Sequence, residues 1–541
     1  MLASHLSIQS TSLRALDQPC RICRYASSNP HAFLWRSSFL NARRRPLENN
    51  STAAAAVVTS AALTGTPLQP TWGTNDDINM VMKFGGTSVA TAERMQEVAS
   101  IILSFPGQLP VVVLSAMGKT TNLLLQAGEE ALITAPGSIS SLPPLRMIKE
   151  LHRDTADKLK IDPAAREEVE ALLSQLAQLL VGVSIMQDLT PRARDSLVSF
   201  GERLSTRLFA AYLRASGIPA RQYDAFSIGI TTNDDFTNAE VIYDATLPAV
   251  KAALTRGPGQ LAYLPVVTGF LGKGAGTGAI TTLGRGGSDL TCTLIGAALG
   301  LPEVQVWKDV DGILTSDPRV VDGALPVDEL TFEEATELAF FGATVLHPLA
   351  MQPAADRGDM GVRVKNSYNR TAPGTLISAT RDMSKTMVTS IVLKQNTTLI
   401  DIGSTRMLGQ YGFLAKVFKV FDQQKLSVDV VATSEVSVSL TLDPAKTLWE
   451  RDLIDEELDS LMDAFKGWAT ASYRRGMSIL SLICSVEKTN FILARVFGVL
   501  GREMVQVELI SQGASKVNIS LVVADGKAKG ALRALHKEFF E

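Results

Sequence analysis

The sequence predicts an α/β domain with a mostly parallel central sheet, followed by two smaller ferredoxin-like βαββαβ units. From Ile78 onward, strand-like apolar blocks alternate with helix-like blocks, and repeated strand–turn–helix units are typical of parallel sheets. After about Lys385 the order becomes strand, helix, strand, strand, helix, and it occurs twice. Glycines concentrate in turns after the predicted strands, where parallel sheets bind their ligands. The first domain is therefore expected to hold a small-molecule site.

The start of the chain, residues 1–75, has a composition of its own. Between Met1 and Asn50 it contains seven arginines against two acidic residues, and serine, threonine and alanine are frequent. An arginine-rich, serine-rich and acid-poor segment predicts an organelle transit peptide. A disordered tail that stays on the protein is the alternative. Cys20 and Cys23 form a CxxC pair without a second pair, so a zinc or redox role is a weak hypothesis.

Length, charge and hydropathy exclude some classes of protein. A formal charge of −3 over 541 residues argues against a general nucleic-acid binder, which needs a basic surface. The chain has no uninterrupted apolar run of about eighteen residues, so no membrane span is expected. The length requires several domains, which we predict over 78–380, 388–465 and 470–541. The last domain is expected to share its first strand with the segment near 388–394.

The first glycine turn, KFGGTS, follows a predicted strand directly. Its Lys83 supplies a mobile cation, and Gly85 and Gly86 allow backbone N–H groups to approach an anion. The second turn, SAMGKT, resembles a P-loop because it contains GKT. The P-loop also needs a glycine five positions before Gly118, and Val113 stands there, so this interpretation is weak.

The third glycine-rich segment has two interpretations. Gly274, Gly276 and Ala279 have the GxGxxA spacing of a dinucleotide fold, but the next helix begins only near Asp289. The segment is better interpreted as a flexible loop followed by the turn GRGGSD. Arg285 in that turn offers a planar fork suited to a carboxylate.

Six segments in a fixed order resemble the aspartate kinases of the amino-acid kinase family. They are VMKFGGTSV, VVVLSAMGKTTNLL, SFGERLSTRLF, TTLGRGGSDLT, VWKDVDGILTSDPRVV and FGATVLHPLAM. The resemblance extends from about Ile78 to the C-terminus. It implies a three-layer αβα kinase domain and two ACT domains, without a homoserine dehydrogenase. The phrase STRMLGQYGFLAKVF most resembles monofunctional plant and algal enzymes, which implies a chloroplast location.

The resemblance implies that Mg-ATP phosphorylates the β-carboxylate of L-aspartate. The product would be 4-phospho-L-aspartate, in the first step of lysine, threonine and methionine biosynthesis. Phosphoryl transfer depends mainly on positioning and charge neutralisation. No general base is expected, because the attacking carboxylate has a reference pKa of about 3.9 and is already ionised at neutral pH.

The matching positions imply three groups of site residues. The catalytic residues are expected to be Lys83, Arg285 and Asp289. The substrate-binding residues are expected to be Ser115, Thr121, Glu202 and Arg285. The nucleotide-binding residues are expected to be Lys83, Gly85, Gly86, Lys308, Asp309 and Arg319. Lys83 would stabilise the transferring phosphoryl group, Glu202 would pair with the substrate ammonium, and Arg285 would hold the α-carboxylate. Ser115 and Thr121 would orient the reacting carboxylate. Asp289 would align the site through Mg²⁺ or the ammonium; no dedicated protein metal site is assigned.

One position departs from the bacterial pattern of the family. In FGATVLHP, Thr344 replaces a lysine that many bacterial members direct at the nucleotide phosphates. A threonine has no charge to neutralise a phosphate. Lys308 is the candidate replacement.

The first ACT unit is implied to bind an inhibitor, with lysine as the first candidate. The matching positions are Met407, Gly412, Phe413, Leu414, Val428, Asp429, Thr433, Ser434 and Glu435. Asp429 would take an ammonium group. Lysine alone, lysine with S-adenosylmethionine, and threonine all stay open as effectors. ACT pairing also implies a homodimer or a larger homo-oligomer.

Three other functions are weighed against this one. A kinase of the same family acting on glutamate, N-acetylglutamate or a nucleotide is disfavoured, because Glu202 and Arg285 together fit a free α-amino acid. A non-catalytic amino-acid sensor is disfavoured because Lys83, Arg285 and Asp289 are all present. A nicotinamide dehydrogenase rests on the GxGxxA spacing alone.

Overall fold

The computed structural model describes residues 77–257, 261–343, 346–383, 386–404, 411–442, 455–513 and 515–541. The chain divides into two units, Met1–Thr52 and Ala53–Glu541, and every described residue belongs to the second. The predicted transit peptide therefore lies outside the described residues, as do Thr344 and Met407.

The first domain alternates strands and helices. Its strands are β1 (Met80–Phe84), β2 (Pro110–Leu114), β3 (Ala220–Tyr223), β4 (Thr231–Thr232), β5 (Leu264–Thr268), β6 (Leu271–Gly274), β7 (Ile280–Thr282), β8 (Glu303–Lys308), β9 (Glu329–Thr331), β10 (Gly361–Asn366) and β11 (Thr375–Ser378). Its helices are α1 (Ala92–Leu103), α2 (Thr120–Ala131), α3 (Pro143–Leu159), α4 (Pro163–Met186), α5 (Pro191–Ala215), α6 (Tyr243–Leu254), α7 (Gly287–Leu299), α8 (Phe332–Phe340) and α9 (Pro348–Arg357).

Eight of these strands form the central sheet, in the order β3-β5-β2-β1-β8-β10-β11-β9. Every neighbouring pair is parallel except β10 and β11, which are antiparallel. The predicted mostly parallel sheet is confirmed. The strands β4, β6 and β7 form a separate small sheet, in which β6 pairs with both others.

Both faces of the central sheet are buried, which produces the three layers. Met82 and Leu114 belong to one hydrophobic core, and Val81 and Val113 belong to the other. Successive side chains of a strand point to opposite faces, so Lys83 lies on the same face as Val81. The helix α7 packs against that face. This arrangement brings the end of β1 close to the start of α7.

The helix α4 bears on the expectation, drawn from the sequence, that the chain has no membrane span. By length and composition alone it is the one helix among the described residues that could cross a membrane. It contains no uninterrupted apolar run of about eighteen residues, which is why the sequence criterion does not identify it. Leu173, Leu176 and Leu180 are fully buried, in the same core as Leu204 of α5. The helix therefore serves here as a packed element of the first domain.

The C-terminal part has a second sheet and its own helices. Its strands are β12 (Val388–Gly403), β13 (Val428–Thr433), β14 (Ser437–Leu442), β15 (Thr470–Cys484), β16 (Val507–Gln512) and β17 (Asn518–Ala524). Its helices are α10 (Phe413–Gln424), α11 (Asp455–Asp463), α12 (Thr489–Arg502) and α13 (Asp525–Phe540).

Two long strands join two ferredoxin-like units in one antiparallel sheet, ordered β13-β14-β12-β15-β17-β16. The second half of β12 pairs with β14, as in Thr398 with Leu442. The first half of β12 pairs with the part of β15 that also pairs with β17, as in Ile391 with Leu482. Each unit thus uses one half of β12 and one half of β15. The domain limits remain predictions, but this pairing shows why no single residue divides the two units.

The second unit contacts the first domain through hydrogen bonds. The buried side chains of Thr315 and His536 share a hydrogen bond of 2.9 Å, and Nε of Arg533 donates to the carbonyl of Val320 at 2.9 Å. The hydroxyl of Thr389 on β12 donates to Oε1 of Glu334 on α8 at 2.8 Å. A rearrangement of the C-terminal units would therefore act directly on the first domain.

Candidate active site

A cavity of about 340 Å³ lies where β1 and β2 end and where α7 begins. Its walls are Lys83, Gly86, Ser115, Ala116, Gly118, Thr121, Asn122, Glu202, Phe270, Gly284, Gly286, Gly287, Ser288 and Asp289. Larger cavities of about 610 and 500 Å³ involve the C-terminal units. The chemistry of its walls, rather than volume, marks the smaller cavity as the candidate active site.

Lys83 and Asp289 form a buried ion pair in this cavity. Their side chains are 2.6 Å apart, and each is 9% exposed. Burial alone would raise the pKa of Asp289, but Lys83 and Lys308 outweigh burial and hold that pKa below its usual range. Two ammonium groups therefore act on the carboxylate of Asp289, and Asp309 also acts on Lys308.

Lys308 is a half-buried lysine at the end of β8. Burial lowers the pKa of Lys308, Asp289 opposes that shift, and Lys83 adds to it. Lys83 lines the cavity, and its effect on the pKa of Lys308 indicates that the two ammonium groups are close enough to repel each other. A bound phosphate would relieve their repulsion.

Two glycines are required by the geometry of the cavity walls. A Cβ at Gly86 would lie 2.8 Å from the carbonyl oxygen of Ala116, so the turn after β1 tolerates no side chain there. Gly286 has a φ of +74°, and a Cβ at this position would lie 2.5 Å from Cβ of His347. The N-termini of α2 and α7 flank the cavity as a result, and helix N-termini favour anions.

Glu202 is a buried carboxylate that also lines this cavity. Its residue is 4% exposed, and Oε1 accepts a 3.2 Å hydrogen bond from the backbone N–H of Ala116. Oε2 is buried and has no hydrogen-bond partner. Burial raises the pKa of Glu202 to about 8. A ligand that brings an ammonium group would satisfy the unpartnered oxygen and stabilise the ionised carboxylate.

The structure brings together most predicted substrate residues but not all of them. Ser115 and Thr121 line the cavity with Glu202. Arg285 is exposed and is absent from the lining, although its neighbours on both sides are present. Arg285 acts on His347, which packs on the same turn, because burial and Arg285 together lower the pKa of His347. The turn GRGGSD thus places Arg285 at the rim rather than inside.

The predicted nucleotide residues are more scattered. Gly85 is half-buried beside the cavity, and a Cβ there would meet no atom closer than 3.7 Å. Asp309 is exposed. Arg319 is 84% exposed at its side chain and forms a 2.8 Å ion pair with Asp317. The structure does not bring Arg319 to the cavity, because the loop after β8 carries it to the surface near the second C-terminal unit.

Two cavity residues were not predicted from the sequence. Asn122 and Phe270 both line the site. Asn122 follows Thr121 at the start of α2, so its position in the motif MGKTTNLL is the signal that was missed. Phe270 adopts a φ of +71° immediately before β6, and no sequence pattern indicated that it would face the site.

The predicted inhibitor residues lie around α10 and β13. Gly412 precedes α10 with a φ of +88°, Phe413 is buried, and Leu414 is 37% exposed. Val428 begins β13 and is half-buried. Thr433 ends this strand.

Asp429 is the buried acid among these residues. Its side chain is 3% exposed and forms a 2.8 Å ion pair with Nζ of Lys394 on β12. Ser434 and Glu435 follow in an exposed turn, where the Ser434 hydroxyl is 2.6 Å from that of Ser437. In this structure the ammonium of Lys394, a residue of the same chain, is therefore the ion-pair partner of Asp429.

The comparisons with known proteins agree with this geometry. The model of the Amino acid kinase family matches residues 80–366, and a model of the ACT domain matches residues 486–539. The chain is 58% identical over 464 residues to Aspartokinase 1, chloroplastic, of Arabidopsis thaliana, covering 86% of this chain and 80% of that protein. It is 36% identical over 463 residues to Lysine-sensitive aspartokinase 3 of Escherichia coli, covering 85% and 99%.

Solved structures extend the comparison to the fold. The chain matches E. coli aspartokinase III in complex with aspartate and ADP at a TM-score of 0.71 and 36% identity, over 86% of this chain and 100% of that one. The same enzyme in complex with lysine and aspartate gives a TM-score of 0.71 at 35% identity, with the same coverage. The resemblance inferred from the motifs is confirmed. The chain belongs to the aspartokinases of the amino acid kinase family.

Proposed function

We propose that the chain transfers the γ-phosphoryl group of ATP to the side-chain carboxylate of L-aspartate, producing ADP and 4-phospho-L-aspartate. The observation that carries this proposal is one cavity that contains both a buried Lys83–Asp289 pair and Glu202, whose Oε2 has no hydrogen-bond partner. The lysine of the pair suits phosphate, and Glu202 suits the ammonium of an amino acid. The E. coli relative whose structure contains aspartate and ADP supports the same pair of ligands.

The reaction depends on charge placement, because phosphoryl transfer passes through a loose transition state with charge on the equatorial oxygens. Lys83 and Lys308 supply positive charge, and Asp289 holds Lys83 in position. The N-terminal N–H groups of α7 add partial positive charge. The substrate carboxylate is the nucleophile and carries no proton to remove.

Substrate recognition uses both ends of the amino acid. Glu202 binds the α-ammonium, and Arg285 at the rim holds the α-carboxylate as a planar fork. Ser115 and Thr121 orient the reacting side chain. This division explains why an N-acetylated or amine-free acid would bind poorly, since it would leave Glu202 buried without a partner.

Mg²⁺ is expected to enter with the nucleotide. Within the described parts of the chain, no three His, Cys, Asp or Glu side chains lie together as a metal site. Asp289 is held by Lys83, and Glu202 is the ammonium ligand, which leaves the phosphates as the main ligands. Mg²⁺ usually keeps several waters and binds through phosphates with one or two carboxylates. It would neutralise phosphate charge and align the transfer.

Lys308 is proposed to replace the lysine that bacterial relatives carry at the position of Thr344. Its partial burial and its electrostatic interaction with Asp289 and Lys83 support this role. Asp309 and Arg319 stay proposed nucleotide residues, but only after a movement of the loop that follows β8.

The C-terminal units are proposed to bind L-lysine as a feedback inhibitor and to pair two chains in a homodimer. Lysine, with or without S-adenosylmethionine, would place an ammonium on Asp429. It would have to displace Lys394, whose Nζ also lies 5.5 Å from the ring of Phe340 on α8. That displacement would reach the first domain through α8. The name of the E. coli relative, Lysine-sensitive aspartokinase 3, supports lysine as the first effector to test.

A plastid location is proposed. The Arabidopsis relatives are named chloroplastic, and residues 1–75 are rich in arginine and serine. Import of a fluorescent fusion of this segment into isolated chloroplasts would test the proposal. Import into mitochondria alone would contradict it.

The Asp429→Ala variant is expected to raise the lysine concentration for half-inhibition by at least about tenfold, a loss of about 1.4 kcal/mol of coupling. The matched control is Lys394→Met, which breaks the same ion pair but keeps the carboxylate. It should stay sensitive to lysine. If both variants lose inhibition equally, the ion pair matters for the domain contact and Asp429 is not the ligand.

The function itself is tested by ADP release from the protein without residues 1–75, supplied with Mg-ATP and L-aspartate. Release that requires aspartate is the expected result, and lysine at millimolar concentration should suppress it. Release without lysine sensitivity would keep the kinase and reject lysine as effector. Folded protein that binds lysine but releases no ADP would favour the amino-acid sensor.

A further inference from the structure

The buried carboxylate of Asp195 lies outside the cavity and has no part in the proposed chemistry. It sits on α5, the helix that carries Glu202, about two turns toward the N-terminus and so on a similar side of the helix. Its residue is 1% exposed. A buried acid without a catalytic contact needs another explanation, because its desolvation is costly.

Asp195 accepts three hydrogen bonds from two segments next to the turn GRGGSD. Oδ2 accepts from the backbone N–H groups of Thr237 (2.9 Å) and Thr282 (3.0 Å). Oδ1 accepts from the hydroxyl of Thr282 (2.8 Å). Thr282 ends β7, and the chain enters the cavity at Gly284 immediately afterwards.

The loop that contains Thr237 also supports the turn GRGGSD. A Cβ at Gly284 would lie 2.2 Å from Oδ1 of Asn238, so the turn packs directly on the residue after Thr237. The backbone N–H of Ala239 also donates to the carbonyl of Thr282 at 2.8 Å. One carboxylate thus ties down both the strand that leads into GRGGSD and the loop that supports this turn.

The same helix contacts the opposite wall. Ser205 of α5 donates to the carbonyl oxygen of Ser115 at 2.8 Å, and Gly201 allows α5 to approach Ala116 so closely that a Cβ there would lie 2.7 Å from its Cβ. Glu202 accepts its hydrogen bond from the same Ala116. The helix α5 therefore holds both walls of the cavity at a fixed separation.

We propose that Asp195 is a positioning residue for the substrate: through Thr282 it sets the distance between Glu202 and the GRGGSD turn, and so the spacing of the groups that bind the α-ammonium and the α-carboxylate. The inference rests on the proposed function. It assigns to Asp195 a selective effect on the amino acid, because its three hydrogen bonds go to Thr237 and Thr282 and not to β1 or β8, which carry Lys83 and Lys308.

The Asp195→Ala variant is expected to raise the KM for L-aspartate by at least about tenfold, because a displacement of about 1 Å in a positioning group has effects of this size or larger. The KM for ATP should stay within about twofold of the unmodified enzyme. Asp195→Asn should rescue most of the loss, since its amide oxygen can still accept both backbone N–H groups.

A double-mutant cycle tests whether Asp195 acts on the KM for aspartate through Thr282. Thr282→Val keeps the backbone N–H and removes only the hydroxyl donor, so its own effect on the KM for aspartate should be small, and Asp195→Ala should cancel it. Glu303→Gln is the control, because Glu303 forms a 2.8 Å ion pair with Arg363 at the start of β8 and has no contact with α5, so the KM for aspartate should stay unchanged.

Three outcomes separate the interpretations. If Asp195→Ala raises both KM values equally, or lowers only the melting temperature, Asp195 has a general structural role and the inference is wrong. If Asp195→Ala does not fold, the residual effect of Asp195→Asn decides: it must raise the KM for aspartate and leave the KM for ATP unchanged, and an equal change in both would overturn the inference. If the unmodified enzyme shows no aspartate-dependent ADP release, the proposed function fails instead.

Discussion

Replacement of Lys83 with methionine is expected to lower kcat by about 10³-fold, the scale on which a cation that stabilises a transferring phosphoryl group acts. Lys83 faces the cavity from the end of β1, and its ammonium lies 2.6 Å from Asp289. Methionine fills a similar volume without the charge. The measurement is kcat at saturating Mg-ATP and L-aspartate, with far-UV circular dichroism to confirm folding.

The ion pair requires a separate control for stability. Lys83→Met leaves Asp289 buried with only Lys308 nearby, and we expect a loss of about 1–3 kcal/mol in the free energy of unfolding. The double variant Lys83→Met/Asp289→Asn removes the stranded charge and should regain stability without regaining activity. A double variant that recovers kcat would show that Lys83 has no direct part in the reaction.

Lys365 provides a matched lysine on the other face of the sheet. Lys365 lies on β10 and is 8% exposed, and its Nζ lies 5.1 Å from the centre of the Trp307 ring. Lys365→Met removes a buried ammonium of similar burial, so kcat should stay within about threefold of the unmodified enzyme. An equal loss of kcat in both variants would indicate that any buried lysine near the sheet affects activity, and the special role of Lys83 would be wrong.

The sheet of the first domain could be predicted because its strands are local patterns. The segments around β1 and β2 are short apolar runs followed by glycine turns, and periodicity identifies them without any tertiary information. The long strands β12 and β15 were harder. Each serves two units, and no local signal in Val388–Gly403 or Thr470–Cys484 says where one unit ends.

The site could be predicted in its residues but not in its contacts. The family motifs predict Lys83, Glu202 and Asp289 as site residues, but only the structure shows that Asp289 forms an ion pair with Lys83. The motifs also do not show which of the predicted residues are buried. The same sequence reasoning assigned Arg319 to the nucleotide, whereas the loop after β8 exposes it in this structure. It assigned Asp429 to the ammonium of an inhibitor, whereas Nζ of Lys394 is its ion-pair partner in this structure.

Replacement of Glu202 with glutamine is expected to weaken L-aspartate binding by about 10²-fold, because a buried ion pair with the substrate ammonium becomes a neutral hydrogen bond. ATP binding should change little. The free protein should gain stability, since burial raises the pKa of Glu202 to about 8 and the folded state must hold either a proton or an unfavourable charge. Because that pKa lies above the unfolded value, the destabilisation grows as pH rises from about 4.5 to about 8. Thermal unfolding of both proteins across this range measures the difference.

The same pKa predicts how substrate affinity depends on pH. In the free enzyme Glu202 is mostly protonated below pH 8, and the substrate ammonium requires the ionised form, so binding must release a proton. The Kd for L-aspartate should therefore fall as pH rises from about 6 to about 8, by up to tenfold per unit, and then level off. Calorimetry in buffers of different ionisation enthalpy should detect close to one proton released at the acidic end. Glu202→Asp should keep the pH dependence at lower affinity, whereas Glu202→Gln should abolish it. A flat profile in the unmodified enzyme, with no proton released, would mean that Glu202 is already ionised in the free site or that it does not meet the ammonium.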